Sequence, residues 1–171
     1  MIVMSEFREI SPLEIGDNPF QLIGKDWMLI TAEKDGVANT MTASYGTLGR
    51  LWNKPVATIY VRPARHTYSF IESADTLSLT FFDEKYRKEL TYMGRTSGRD
   101  EDKIAHCGFH LLHDGETPYF QEARLVLICR KLYSQMLETD CFLDAEVDEK
   151  DYPLKDYHRV YVVEILKVLQ K

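Results

Sequence analysis

The residues that could bind an anion are concentrated in one stretch, from Gly36 to Ile71. The 171-residue chain has a formal net charge of -6, yet this stretch contains no Asp or Glu, while it holds Arg50, Lys54, Arg62 and Arg65. An acid-free, base-bearing run inside an acidic protein predicts a local positive potential. We interpret it as a site for a small, phosphate-sized anion and not as a surface for polyanions such as nucleic acid.

A row of hydroxyl groups precedes all four of these basic residues. The alternation from Val37 to Tyr45 predicts a strand, with Thr40, Thr42 and Ser44 along one face. Asp35-Gly36 is a strong hairpin signal, so this strand pairs with the preceding one, and we expect the hydroxyl row near the middle of a sheet. The alternative is that these hydroxyls form the solvated face of an antiparallel strand.

Two of the arginines follow another predicted strand, from Val56 to Val61. Pro63 suits the first position of a helix, and no Ser, Thr, Asp or Asn caps this helix, so its first N–H groups are free to meet an anion. Arg62 and Arg65 would add charge-assisted donors, and Thr67 would add a hydroxyl. The alternative is a solvated helix start.

A loop rich in charged residues, RTSGRDEDK, spans residues 95 to 103. Taken alone, it predicts a solvated connector to a short helix, capped by Ser97 or Asp100. Beyond it, the residues that could bind a metal are His106, Cys107, His110 and His113. Because a glycine interrupts this group and no acidic residue has ligand spacing, we predict a polar turn and no metal site.

The composition indicates one domain covering residues 1–171. With 44% hydrophobic residues, a chain of this length can form a substantial core. No segment approaches the roughly 18 consecutive apolar residues of a membrane helix, and the N-terminus does not resemble a secretion signal. We therefore expect a cytoplasmic protein without membrane contacts. Cys107, Cys129 and Cys141 have no CxxC spacing and are expected to be reduced thiols.

Further strands are predicted at Leu77–Phe82, Arg124–Tyr133 and Arg159–Leu169, the first of them half-buried because polar and apolar residues alternate. A helix is predicted from Asp83 to Gly94. Five or more short strands with few helices predict a mainly β fold, a Greek-key β-barrel. The motifs GxGxxG, GxSxG, HExxH and the Walker phosphate loop are absent, which disfavours Rossmann dehydrogenases, α/β-hydrolases, metalloproteases and kinase-like enzymes.

Three motifs, NTMTASYG, LWNKPVATIYVRPARHT and SGRDEDK, occur in this order. They resemble the pattern of the flavin reductase-like family with the FMN-binding split barrel, in particular its flavoredoxin-like branch. The resemblance extends from NPFQLIGKDWMLITA at Asn18 to the C-terminal strands. The family usually has Trp where this chain has Tyr45, which changes the packing expected beside the flavin ring.

The resemblance implies non-covalently bound FMN, with its phosphate at Arg62, Arg65 and Thr67 and its ring and ribityl chain along residues 40 to 44. It also implies that the charged loop closes over the flavin or the nicotinamide site. Trp52 is by type more often a core residue, but it is retained as a candidate. The candidate cofactor-binding residues are Asn39, Thr40, Met41, Thr42, Ala43, Ser44, Trp52, Arg62, Arg65, Thr67, Ser97, Gly98, Arg99 and Lys103.

The function that the resemblance implies is an oxidoreductase in which a hydride moves from NADH or NADPH to FMN. Because the flavin carries this chemistry, no catalytic side chain is predicted. In similar proteins a second subunit completes the flavin site, so a homodimer is expected. Two alternatives remain: an FMN electron carrier between protein partners that does not use NAD(P)H directly, and a barrel that binds a ligand or a partner without a redox role.

Overall fold

The computed structural model of the chain describes residues 6–171 and is built around one antiparallel sheet. Eight strands form this sheet in the order β3-β2-β6-β9-β10-β5-β4, with β1 also paired to β10, and β7 and β8 form a separate hairpin. The strands are β1 Arg8–Ile10, β2 Met28–Lys34, β3 Val37–Ala43, β4 Gly46–Leu51, β5 Lys54–Val61, β6 Thr76–Phe81, β7 Leu111–Asp114, β8 Thr117–Phe120, β9 Leu125–Met136 and β10 Arg159–Gln170.

The sheet curls into a barrel that is not closed. Its two end strands, β3 and β4, follow one another in the chain, but no pairing joins them in the described part of the structure. Strands account for 42% of residues and helices for 27%, so the fold is mainly β. The predicted Greek-key split barrel is confirmed. The expectation that the hydroxyl-bearing strand lies near the middle of the sheet is wrong, because among residues 6–171 β3 pairs only with β2 and forms one edge.

Short helices connect the strands. Pro12–Glu14, Glu84–Tyr86 and Thr139–Cys141 are 3-10 helices, Leu22–Asp26 is a π-helical turn, and the α-helices are α1 Pro19–Gln21, α2 Thr67–Ser73, α3 Arg87–Arg95, α4 Lys103–His106 and α5 Ala145–Asp151. The helix predicted to start at Pro63 begins four residues later, at Thr67, and no side chain caps it. Within residues 6–171, no helix has the length and hydrophobicity needed to cross a membrane.

Both faces of β2, of β6 and of the first half of β9 are covered by apolar residues. Ile30 and the other inward-facing residues of the strands fill the barrel interior. Leu29, the preceding residue on the same strand, packs outward against α3 and the β7–β8 hairpin. Since β6 lies between these two cores, the prediction that it is half-buried is wrong. Ser78 and Thr80 on β6 are fully buried, and they donate hydrogen bonds to the carbonyls of Pro118 and Leu29.

Candidate functional site: a cationic cavity at the edge of the barrel

A cationic cavity lies where the loop before α2 meets the end of α3 and the loop that follows it. Its volume is about 280 Å³, and its lining residues are Ala64, Arg65, His66, Thr67, Gly94, Arg95, Thr96, Ser97, Gly98, Arg99 and Lys103. This lining contains three arginines and a lysine but no carboxylate. Such a composition suits a phosphate or another small anion. We call this space the anion cavity.

The positive charges of the anion cavity are not neutralised by the described part of the chain. No ion pair there joins Arg65, Arg95 or Arg99 to a carboxylate; Arg99 instead donates a hydrogen bond to the carbonyl of Ala64 at 3.3 Å. Burial lowers the pKa of Arg65, and burial is also the main reason that the pKa of Lys103 falls to about 8. Because unpaired cations are costly to remove from water, a bound anion would stabilise this cavity.

Two glycines allow the walls of the anion cavity to approach β3 closely. A Cβ atom at Gly98 would lie 2.2 Å from Oδ1 of Asn39, and one at Gly94 would lie 3.2 Å from Cβ of Thr42. Asn39 is itself held in place, because its Nδ2 donates to Oγ1 of Thr67 at 2.8 Å. The charged loop therefore reaches the strand only because residue 98 has no side chain.

Two further cavities continue from the anion cavity. The middle cavity, of about 230 Å³, is lined by Trp27, Thr42, Ala43, Ser44, Leu90, Thr91, Gly94 and Arg95. The distal cavity, of about 370 Å³, is lined by Pro19, Phe20, Ile23, Gly24, Ser44, Tyr45, Gly46, Thr47 and Leu48. The anion and middle cavities share Gly94 and Arg95, and the middle and distal cavities share Ser44. Together they form a path from a cationic end to an aromatic, apolar end.

The three hydroxyls of the predicted row have different environments. Thr40 is fully buried and forms a hydrogen bond with Oγ1 of Thr31 at 2.9 Å, so it lines none of the three cavities. Thr42 lines the middle cavity and donates to the carbonyl of Leu90 at 2.6 Å, which joins β3 to α3. Ser44 lies just beyond the end of β3 and is exposed between the middle and distal cavities.

Most of the other predicted residues lie around the same path. Six of them line the anion cavity: Arg65, Thr67, Ser97, Gly98, Arg99 and Lys103. Ala43 lines the middle cavity, and Asn39 supports the anion cavity through its hydrogen bond to Thr67. Met41 packs in the barrel interior.

Arg62 is not brought to the anion cavity. Its guanidinium forms an ion pair with Asp156, donates to the carbonyl of Asp151 at 3.0 Å and lies over the ring of Tyr152 at 5.1 Å. Trp52 is also remote from the three cavities, since it occupies the exposed β4–β5 turn and makes an edge contact with Tyr133. Neither side chain lines the path.

Sequence reasoning did not select His66, Gly94 or Arg95, all of which line the anion cavity. His66 lies within the ARHT part of the second motif, and Arg95 begins the charged loop. Burial, followed by the charges of Arg99, Lys103 and Lys34, lowers the pKa of His66. The second motif was the signal that could have identified His66, and the charged loop was the signal that could have identified Arg95.

Two other cavities have linings that suit a phosphate less well. One, of about 420 Å³, is lined by Lys25, Arg87 and Arg124 but also by the carboxylates of Asp26, Asp83 and Glu84. The other, of about 670 Å³, is largely apolar and lies between the N-terminal segment and β4; its lining includes Leu13, Ile15, Leu48, Pro55 and Ile165. In the first cavity three carboxylates offset the three cations. In the second, the lysine of the lining, Lys54, is already paired with Glu164.

Comparisons with known proteins agree with this architecture. The sequence model of the flavin reductase like domain matches residues 21–170. A flavoredoxin from Methanosarcina acetivorans is similar in structure, with 22% identity and a TM-score of 0.67, over 85% of this chain and 68% of that one. An FMN-binding domain of a flavin reductases-like enzyme from Shewanella baltica OS155 shares 15% identity with a TM-score of 0.69, over 97% of this chain and 78% of that one.

The flavoredoxin of Desulfovibrio vulgaris (Miyazaki F) shares 19% identity with a TM-score of 0.65, over 85% of this chain and 69% of that one. At such identities the solved structures establish the fold alone. No curated protein matches the chain. Because the family model spans nearly the whole sequence, the chain belongs to the flavin reductase like domain family.

Proposed function

We propose that this protein binds FMN non-covalently along the path of three cavities and is a flavin reductase that uses NADH or NADPH. The observation that carries the proposal is the order of the path, in which four cations without carboxylate partners lie at one end and aromatic and apolar residues at the other. FMN has a phosphate at one end and a largely apolar ring at the other, so the residues present fit it. When bound, FMN supplies the redox chemistry.

Each part of the path would hold a different part of the cofactor. Arg65, Lys103 and the hydroxyl of Thr67 would hold the phosphate through charge-assisted hydrogen bonds. Thr42 and Ser44, beside the middle cavity, would contact the ribityl chain. Tyr45, which is 58% exposed beside the distal cavity, would flank the ring.

The nicotinamide nucleotide would use the cations that remain at the surface. Arg95 and Arg99 are exposed where they line the anion cavity, so both can meet the pyrophosphate of a dinucleotide. Lys103 is only 3% exposed and cannot reach an external dinucleotide, so its role is confined to the anion cavity. We therefore assign to Arg99, and not to Lys103, the contact with the co-substrate.

A flavoredoxin-like electron carrier is the second candidate. Phe20, which is 85% exposed, and Tyr45 line the distal cavity and place an aromatic surface beside the proposed ring position. Such a surface could receive a redox partner protein as readily as a nicotinamide ring. Two of the similar structures are flavoredoxins, which supports this candidate. A third alternative, a ligand-binding barrel without flavin, lacks an observation of its own.

We also propose a homodimer in the cytoplasm. Leu13 and Phe20 are 96% and 85% exposed, and they lie beside the apolar cavity and the distal cavity respectively. The edge of β4 that does not face β5 is unpaired in the described part of the chain. An apolar surface and a free edge next to the proposed ring position favour a second copy of the chain as the group that covers them.

The function is tested with the purified protein. A yellow protein that releases FMN on denaturation establishes the cofactor, and a colourless one that does not bind added FMN overturns the proposal. Anaerobic mixing of the FMN-loaded protein with NADH or NADPH should bleach the flavin within seconds, and Arg99→Ala should slow this step. Reduction by dithionite but by neither nucleotide would establish the electron carrier instead.

The dimer is tested by light scattering at micromolar protein concentration, with and without saturating FMN. We expect a mass of twice that of the chain. Phe20→Asp should shift the mass toward the monomer, whereas a charge change in the exposed β7–β8 turn, such as Glu116→Lys, should not. A monomeric mass for the unaltered protein with FMN present would contradict the proposal.

A further inference from the structure

Lys103 is a buried lysine whose hydrogen bonds are made to backbone carbonyls. Its Nζ donates to the carbonyl of Met93 at 2.8 Å and to that of Thr96 at 2.9 Å. Both carbonyls belong to the C-terminal end of α3 and the residue that follows it, which form one wall of the anion cavity. The side chain therefore ties α4 to this wall, and it is only 3% exposed.

The number of donors on Nζ differs between the two protonation states of Lys103. A neutral amine has two N–H donors, and the two carbonyls accept both of them. An ammonium has three donors, and the third has no acceptor within residues 6–171. Because Lys103 lines the anion cavity, a bound anion is the group that could accept the third hydrogen bond.

The charges that face Lys103 come from every element around the anion cavity. Arg65 and His66 lie on the loop before α2, Arg95 ends α3, and Arg99 lies on the charged loop. Burial first, and then the charge of Arg65, lowers the pKa of Lys103 to about 8, while the thiol of Cys107 on the following turn acts in the opposite direction.

The two acidic residues that precede Lys103 in the charged loop form hydrogen bonds with other groups. Glu101 bonds to the hydroxyl of Tyr92, and Asp102 accepts from the N–H of Ala105. In the described part of the chain, no carboxylate forms an ion pair with Lys103. Because it is buried and no carboxylate within residues 6–171 pairs with it, this lysine can lose its proton in mildly alkaline solution.

We propose that Lys103 couples anion binding to proton uptake: it is a neutral amine in the ligand-free cavity at mildly alkaline pH and takes a proton from solvent when a phosphate group binds. The inference rests on the proposed function in that it takes the FMN phosphate as the ligand. The two carbonyls hold Nζ in the same place in both states, so protonation changes the charge of the cavity without a change of shape.

The sign of the pH dependence follows from linkage. A bound dianion stabilises the ammonium, so the excess of protons in the complex over the free protein is about half a proton near pH 8 and approaches one as the pH rises further. Affinity for FMN should therefore fall about tenfold between pH 7 and pH 9. Riboflavin has the same ring without the phosphate, so its affinity should not change in this way.

The experiment is isothermal titration calorimetry of the full chain with FMN at about pH 8.5, in two buffers of different ionisation enthalpy. At this pH the phosphate is already a dianion, and we expect uptake of about 0.7 proton per FMN and close to none with riboflavin. Lys103→Gln is the matched variant, because its amide also has two N–H donors but takes no proton. It should bind FMN without proton uptake and with an affinity independent of pH.

Two control variants and a measurement with sulfate make each outcome decisive. Lys103→Arg stays charged throughout, so it too should bind without uptake, and it serves if Lys103→Gln does not fold. His66→Gln should retain the uptake; its loss there would assign the proton to His66. No uptake in the unaltered protein, or unchanged uptake in the Lys103 variants, overturns the inference. If FMN does not bind at pH 7, the proposed function fails, and stabilisation by sulfate at pH 7 but not at pH 9 then tests the inference.

Discussion

Two arginines that are three residues apart in the sequence have opposite environments in the structure. Arg65 lines the anion cavity, where no carboxylate of the described chain pairs with it. Arg62 instead forms an ion pair with Asp156 and lies over Tyr152, in the segment of residues 138–158. The same local sequence, RPAR, thus supplies a cation that can bind a ligand and a cation that holds a loop.

The difference shows that whether an arginine is free to bind a ligand depends on the residues that contact its guanidinium. Around Arg65, two glycines bring a second cationic loop close to β3, and the added Arg99 and Lys103 increase the positive potential. Around Arg62, a carboxylate and a backbone carbonyl satisfy the guanidinium. An unpaired cation can gain free energy from a bound anion, whereas a paired cation must first lose its partner.

The largest expected effect separates these two arginines. Arg65→Ala should weaken FMN binding by about 1.5 to 3 kcal/mol, or about 10-fold to 150-fold, because the phosphate loses a charge-assisted hydrogen bond. Arg62→Ala should change FMN affinity by less than about threefold, because its charge is already paired with Asp156. Fluorescence titration measures both affinities, with riboflavin as the ligand that lacks the phosphate. Equal losses in the two variants would mean that Arg62 leaves Asp156 to bind the ligand.

The next effect concerns the approach of the charged loop to β3. Gly98→Ala places a Cβ atom 2.2 Å from Oδ1 of Asn39, so either the loop or the Asn39 side chain must move. We expect FMN affinity to fall about tenfold, since the cations of the loop then lie farther from the phosphate. Adding Asn39→Ala removes the clash, and the double variant should recover part of the loss. Additive losses would show that the contact does not set the loop position.

A smaller effect is expected on thermal stability, where the loss of Arg62 should matter more than the loss of Arg65. In the FMN-free protein, Arg62→Ala should lower the Tm by about 2 to 4 °C, because several interactions of the 138–158 segment are lost. Arg65→Ala should leave the Tm unchanged or raise it, because it relieves repulsion with Lys103. Differential scanning calorimetry measures both values. A lower Tm for Arg65→Ala would indicate a structural role for that residue.

The smallest expected effect is a pH dependence of the segment around Arg62. Burial, and then the charge of Arg62, lowers the pKa of His158, whose Nδ1 bonds to the hydroxyl of Tyr152 at 2.6 Å. The unfolded chain therefore takes up this proton at a higher pH than the folded one, and stability should fall as pH drops below about 7. His158→Gln should reduce this slope in urea unfolding between about pH 7 and pH 5. An unchanged slope would assign the proton to another group, such as His66.

The two regions should thus respond to opposite changes of pH. The anion cavity is expected to lose affinity in alkaline solution, where Lys103 gives up its proton. The 138–158 segment is expected to lose stability in acid, where His158 must take one up. Measuring ligand affinity and stability over the same pH range would show whether the two regions are energetically separate.

Local patterns in the sequence determined much of the fold. Asp35 and Gly36, both with positive φ, form the predicted turn between β2 and β3. Ser11 and Glu14, three residues apart, form a capping box with both of its hydrogen bonds. Such features depend on neighbouring residues, so a sequence pattern of four or five residues predicts them. The absence of Asp and Glu from the stretch Gly36 to Ile71, which holds Arg65, is likewise a property of the sequence.

Only the tertiary structure decided which charges meet. Arg62 and Asp156 are 94 residues apart in the chain, and β5 and β10 bring them together by pairing Val61 with Arg159. Lys103 reaches the anion cavity because α4 packs on the end of α3. Thr40 does not line the site, because its hydroxyl forms a hydrogen bond with that of Thr31 on β2. The group that pairs with a cation is brought to it by strand pairing and helix packing, which the local sequence does not specify. Whether the cation is free to bind a ligand is therefore decided only when the barrel is assembled.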